Sequence, residues 1–293
     1  MTFNENANVG RSGARRRGRT AAIAGGGGVG VIGIAVLLFS LVTGQDLTGL
    51  LGIAGGGAPQ SGSGGSSLIE GCETGRDANE RDDCRLVFGA EAIDQFWSEN
   101  LDGYREPQLI IVDGATSSQC GTASNATGPF YCPPEETVYV DPTFFGLLRS
   151  QYDASAGSLA QLYVLAHEYG HHVQNLIGVF RDHPDNGTGP DSNGVRTELQ
   201  ADCFAGAWVA AMTQQEDPDG DPYLQPPTAQ QIADALNAAA TVGDDHIQEQ
   251  STGRVNPESW THGSSEQRQR WFDEGRQGGV DACDTFAVAG SEL

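Results

Sequence analysis

The chain has 293 residues, a formal net charge of −23 and no lysine, so all sixteen cations are arginines. Its length allows one large domain or two small ones. The acidity excludes a nucleic-acid partner, because phosphate neutralisation needs a basic stripe and none occurs beyond the N-terminus.

Residues 1–20 hold Arg11, Arg15, Arg16, Arg17 and Arg19, and the next arginine is Arg76. They read as a disordered, cytoplasmic basic tail. No charge occurs from Thr20 to Gln45. Within that stretch, residues 21–43 (AAIAGGGGVGVIGIAVLLFSLVT) exceed the ~20 apolar residues that cross a bilayer. The basic flank predicts a single-pass transmembrane anchor in the cell membrane, with the N-terminus cytoplasmic and the remainder extracytoplasmic. A cleaved signal peptide is the alternative, though the apolar run is long for one and no small-x-small site follows it. Residues 44–67, ending in GGGAPQSGSGGSS, read as a flexible linker. Residues 68–293 are long enough to bury one substantial core.

Export agrees with the cysteines at 72, 84, 120, 132, 203 and 283. Local spacing suggests Cys72–Cys84 and Cys120–Cys132, leaving Cys203 with Cys283; six cysteines allow fifteen pairings. Cys203 as a buried free thiol is the competing reading.

Along the domain, EAIDQFWSENL (91–101) puts Ile93, Phe96, Trp97 and Leu101 on one helical face. PQLIIVDG and TVYVDP read as strands, stopped by Asp-Gly and by proline. Residues 155–178 predict a long apolar helix, and HPDNGTGPDSNG (183–194) a turn-rich loop. Residues 195–213 predict another helix. TAQQIADALNAAA opens with a Thr228…Gln231 capping box. SSEQRQRWFDEG predicts a last helix, capped by Ser264…Gln267 and stopped at Gly275. EDPDGDPY (216–223) misses the calcium-loop register and reads as a solvated acidic turn. Few strands followed by many helices predict an α+β domain.

The chemistry lies in LAHEYGHHVQN (165–175). His167 and His171 are four apart and share a helix face. Glu168 sits at the edge of that face, where it can act as general base to a zinc-activated water, the H-E-x-x-H arrangement. His172 points about 100° away and reads as a packing or hydrogen-bonding residue. A hydrolytic zinc takes three protein ligands. The extended pattern with a third histidine is absent, since Gln174 and Ile177 occupy its positions. His183 lies in the glycine- and proline-rich loop. In RTELQADCFAGAWV, Glu198 and Asp202 are four apart on an otherwise apolar helix, costly unless something pairs with them. Glu198 is the candidate third ligand, and Asp202 the acceptor for the free N–H of a ligand histidine. His262 is the candidate oxyanion donor, ahead of His246 and Tyr223; it precedes a helix N-terminus, which favours developing negative charge. A loop histidine with a structural hydrogen bond is the other reading of His262.

HEYGHHVQ, ELQADCFAGAW and THGSSEQRQRWFDEG together resemble the bacterial neutral zinc metallopeptidase family, and more loosely zincins with a glutamate third ligand. The resemblance covers most of residues 68–293. It implies a zincin-like domain, mostly helical with a small sheet. It also implies Zn2+ held by His167, His171 and Glu198, Glu168 as base, Asp202 behind the ligands, and a peptide or protein substrate. The expectation is a membrane-anchored extracytoplasmic metallopeptidase. A zinc-bearing scaffold without turnover and a cell-wall peptide amidase are the alternatives.

Overall fold

The computed structural model describes residues 3–8, 14–18, 66–152 and 157–293. The predicted anchor at 21–43 and nearly all of the linker lie outside the described residues. Among the described residues no helix is long and apolar enough to cross a membrane.

A five-stranded sheet is built from β1 (Arg15–Arg17), β2 (Ser66–Leu68), β3 (Gln108–Val112), β6 (Phe130–Cys132) and β7 (Thr137–Val140), in the order β2-β1-β3-β7-β6. β1 runs parallel to β3, and β3 parallel to β7. β2 and β6 are antiparallel edges. β3 and β7 are the two expected strands. Leu109 to Val112 and Thr137 to Val140 are all buried, as suits strands covered on both faces. A hairpin of β4 (Ala115–Ser118) and β5 (Gly121–Ser124) forms a separate two-stranded sheet.

Helices make up the rest: α1 (Gly75–Glu80), α2 (Asp82–Asn100), α3 (Phe144–Tyr152), α4 (Ser158–Ile177), α5 (Val179–Asp182), α6 (Asn193–Ala211), α7 (Ala229–Thr241), α8 (Asp244–Thr252) and α9 (Ser265–Gly278). The domain is thus α+β and mostly helical. α4 is buried on every side from Leu159 to Gln174, so it is the central helix. Gly178, at φ 86, ends it in the left-handed conformation, as glycine permits. Ser192 caps α6 by accepting from the Val195 amide. The capping boxes at Thr228…Gln231 and Ser264…Gln267 both form.

Three expectations need correction. The last helix does not stop at Gly275 but runs to Gly278, capped by Gly279. A Cβ on Gly275 would lie 1.8 Å from the Cys203 carbonyl oxygen, and one on Gly206 would lie 1.9 Å from that of Phe272. These glycines let α6 and α9 pack backbone to backbone. Next, residues 3–8 and 14–18 are not a disordered tail. Phe3, Ala7 and Ala14 are buried in the main core, and residues 15–17 form β1. Last, the acidic turn is not fully solvated. Asp217 is buried and its carboxylate accepts the amides of Asn8, Asp219 and Asp221.

The disulfides are Cys72–Cys84, Cys120–Cys132 and Cys203–Cys283, so Cys203 is not a free thiol. The last ties α6 to the chain just after α9.

Candidate metal centre

One turn of α4 separates His167 from His171, and their ring centroids are 4.7 Å apart. α6 crosses closely enough that a Cβ on Gly170 would sit 3.1 Å from the Ala201 Cα. That approach brings the Glu198 carboxylate to both rings. Its Oε2 is 3.2 Å from His167 Nε2, and its Oε1 is 3.5 Å from His171 Nε2. Ligand atoms of the three residues all lie within 4.8 Å of one another. Two imidazole nitrogens and a carboxylate are a donor set that zinc takes, and three such groups converging in a buried site fit an ion.

Each histidine is aimed from behind through Nδ1. His167 Nδ1 is 2.8 Å from Asp202 Oδ1, and His171 Nδ1 is 2.8 Å from Gln174 Oε1. Gln174 in turn donates to the Thr197 carbonyl and to Gln200 Oε1, and Gln200 donates to the Cys283 carbonyl. Such bonds fix the ring tautomer and leave Nε2 free for a metal.

Asp202 is the hub of a buried network. Arg268 donates from Nε at 2.7 Å and from Nη2 at 3.0 Å, and the Tyr163 hydroxyl also donates to it. With His167, that gives the carboxylate four partner atoms, three on Oδ1 and one on Oδ2. Neither Asp202 nor Arg268 exposes any surface. Sequence reasoning missed Arg268, Tyr163, Gln174, Gln200 and Asp244. A signal existed for Arg268: it shares one α9 face with the buried Trp271, Phe272 and Gly275, an odd place for a lone cation.

Protonation follows from these contacts. Burial opposes charge on His167, but Asp202 and Glu198 outweigh it and hold its pKa up to about 10. Burial dominates at His171 and pushes it down to about 4. Burial also works against the Glu198 carboxylate, yet the two histidines keep it far below the usual carboxylate range. Glu168 is 2 % exposed, and burial pushes its pKa up to about 7. Its Oε2 is buried without a hydrogen-bond partner among the described residues.

His262 is buried beside the cluster. Asp244 Oδ2 accepts the amides of Thr261, His262 and Gly263 at 2.7, 2.6 and 3.1 Å. His262 Nδ1 lies 3.4 Å from Asp244 Oδ1 and 2.9 Å from Thr261 Oγ1. Nε2 is the ring nitrogen left for another partner. Burial disfavours its charge, but Asp244 and Glu198 raise its pKa. His172 does take a packing role: its nitrogens meet the Tyr131 hydroxyl and the Arg105 carbonyl. His183 stacks on Phe286, and the Tyr223 carbonyl accepts the Asn4 amide. His246 Nε2 is buried without a hydrogen-bond partner among the described residues.

An α+β domain whose central helix carries two imidazoles and a buried glutamate, met by a carboxylate from the next long helix, has the makings of a zinc metallopeptidase. The chain belongs to the family described as "Putative neutral zinc metallopeptidase", whose model matches residues 3–286. It is 50 % identical over 220 residues to the uncharacterized protein Rv2575 of Mycobacterium tuberculosis, covering 74 % of this chain and 75 % of that one. It is 45 % identical over 190 residues to the uncharacterized protein YpfJ of Escherichia coli, covering 62 % of each. No solved structure matches it.

Proposed function

We propose that this protein is a zinc-dependent peptidase with the metal held by His167, His171 and Glu198. The observation that carries the reading is the buried convergence of these ligands beside a glutamate with one oxygen free. Zinc, when bound, supplies a Lewis acid that brings the acidity of water near neutrality. Glu168 accepts the proton of the attacking water and later delivers it to the leaving amine. A pKa near neutrality suits both halves of that exchange. His262, held by Asp244, donates to the oxygen on which negative charge develops. Asp202 and Gln174 hold the ligand rings. β6 is an edge strand of the sheet, so its outer rim offers ladder groups to an extended peptide. The key residues are at most 8 % exposed, so part of the surround moves to admit substrate.

The proposed setting is an oxidising compartment outside the cytoplasm, with residues 21–43 as the membrane tether. Three disulfides support the compartment, and the length of the apolar run supports the tether.

The test is Glu168→Gln in the full chain, with zinc content and cleavage of a broad peptide library measured beside the wild type. Zinc should be retained and cleavage lost. Equal cleavage by both proteins removes Glu168 from the mechanism. Zinc binding with no cleavage by the wild type favours a scaffold.

A further inference from the structure

The N-terminal segment is bound to the peptidase body at several separate places. Phe3 is 1 % exposed and meets Phe88 edge to face, with ring centroids 5.5 Å apart. Its amide donates to Asn79 Oδ1, and its carbonyl accepts from Asn79 Nδ2. The Asn4 amide donates to the Tyr223 carbonyl, and the Gly75 amide to that of Ala7. Asn8 closes the Asp217 turn with its amide at 2.8 Å. Arg16 pairs with Asp83. β1 lies between β2 and β3 and is hydrogen-bonded to both. The body is shaped for this segment: a Cβ on Gly75 would lie 1.8 Å from the Asn4 carbonyl oxygen. The family match also begins at residue 3 and not at residue 68.

Chain connectivity turns this packing into a topological constraint. Arg17 and Ser66 are register partners on adjacent antiparallel strands. The described ends on either side, at residues 18 and 66, therefore lie at neighbouring points of the body. A segment that crosses a bilayer once puts its two flanks in different compartments. Strand pairing between residues 15–17 and residues 66–68 and 110–112 needs them in the same one.

We propose that residues 3–8 and 14–17, with the strand Arg15–Arg17, are an integral part of the peptidase domain and share its compartment, so that any membrane insertion of the chain between residues 18 and 66 enters and leaves on one side. The cytoplasmic N-terminus of a single-pass topology is then excluded. The proposal does not depend on catalysis and stands whether or not the protein hydrolyses peptides.

The experiment is cross-linking in the full-length protein in bacterial cells. Arg16 and Ser67 are directly opposed partners on β1 and β2, and residues directly opposite on antiparallel strands are close enough for a disulfide. Arg16→Cys is combined with Ser67→Cys, and a membrane-permeant oxidant acts on whichever compartment holds each thiol. A second pair, Asn8→Cys with Thr74→Cys, tests the isolated bridge between those residues. Each single variant serves as control, and chains are resolved by a maleimide mass tag with and without reduction. Most of the chains should be cross-linked at both pairs. The overturning result is a thiol at residue 16 that stays free and reacts with a membrane-impermeant maleimide from the side opposite to residue 67. Native cysteines found reduced before oxidant is added would instead refute the oxidising location, leaving the cross-link result to decide this inference alone.

Discussion

Asp202→Asn separates the two tasks of the buried network. The side chain is nearly isosteric, so packing is preserved while the charge is removed. Asp202 and Arg268 are fully buried and joined by two charge-assisted hydrogen bonds at 2.7 and 3.0 Å. Breaking a buried pair by removing one partner costs about 3–5 kcal/mol, because the other charge stays buried without compensation. At roughly 2–4 °C per kcal/mol for a domain this size, the melting temperature should fall by about 6–20 °C. The second effect is on the metal. His167 keeps an acceptor in the Asn amide oxygen but loses the negative charge behind it. Removing such a partner weakens metal affinity about 10–100-fold. The assays are urea unfolding of metal-stripped protein, which isolates the fold from metal linkage, and zinc titration against a chromophoric chelator. Asp202→Asn with Arg268→Gln should cost less than the two single changes added together, since neither charge is then left alone. A stability loss under about 1 kcal/mol, or an additive double variant, would refute the view that the two charges depend on each other. An unchanged zinc affinity would show that Asp202 does not orient His167.

Other consequences can be checked separately. Asp244→Asn should lower kcat with little change in KM, by no more than the ~100–1,000-fold that losing an oxyanion donor costs; His262→Ala should reach that full loss, and a change confined to KM would assign both residues to binding. Gly275→Ala should destabilise by at least the ~1–3 kcal/mol of an overpacked core, as its methyl would meet the Cys203 carbonyl at 1.8 Å; an Ala variant as stable as wild type in urea would show that α6 and α9 are not in backbone contact. Asp94 carries a pH signature. Burial raises its pKa well above 3.8, and Glu106 and Glu91 add to the shift. The folded state therefore holds this proton longer than the unfolded state does, and stability from the site is lost as pH rises above about 4. Asp94→Asn should then melt higher than wild type at pH 7, with the gap narrowing toward pH 4; a gap that widens on acidification contradicts the sign.

Much of the site was legible because its geometry is local to single helices. His167, Glu168 and His171 lie within one turn, as do Glu198 and Asp202, and helical periodicity alone puts each set on one side. The α+β class, the main strands, the capping boxes and the disulfides Cys72–Cys84 and Cys120–Cys132 followed from short-range patterns, and Cys203–Cys283 from elimination. Gln200 and Asp244 were not legible, because each matters only through a partner distant in sequence; for Arg268 the apolar face it shares hinted at burial, but its partner Asp202 lies on another helix. Gly275 shows the same limit. Glycine near a helix end reads locally as a stop, yet here a neighbouring helix requires it mid-helix. The tail shows it most strongly: a run of arginines has the composition of disorder, but it becomes a strand where β2 and β3 give both its edges hydrogen-bond partners.

The sequence by itself determined the chemistry, two imidazoles and two carboxylates placed by the 3.6-residue turn. Only the tertiary structure decided that the two helices approach closely enough to merge those groups into one centre, which depends on small residues at the Gly170–Ala201 crossing. It alone decided, too, which buried charges balance one another and that the N-terminus belongs to the domain. Contacts of that kind join residues far apart in the chain, and no local pattern encodes them.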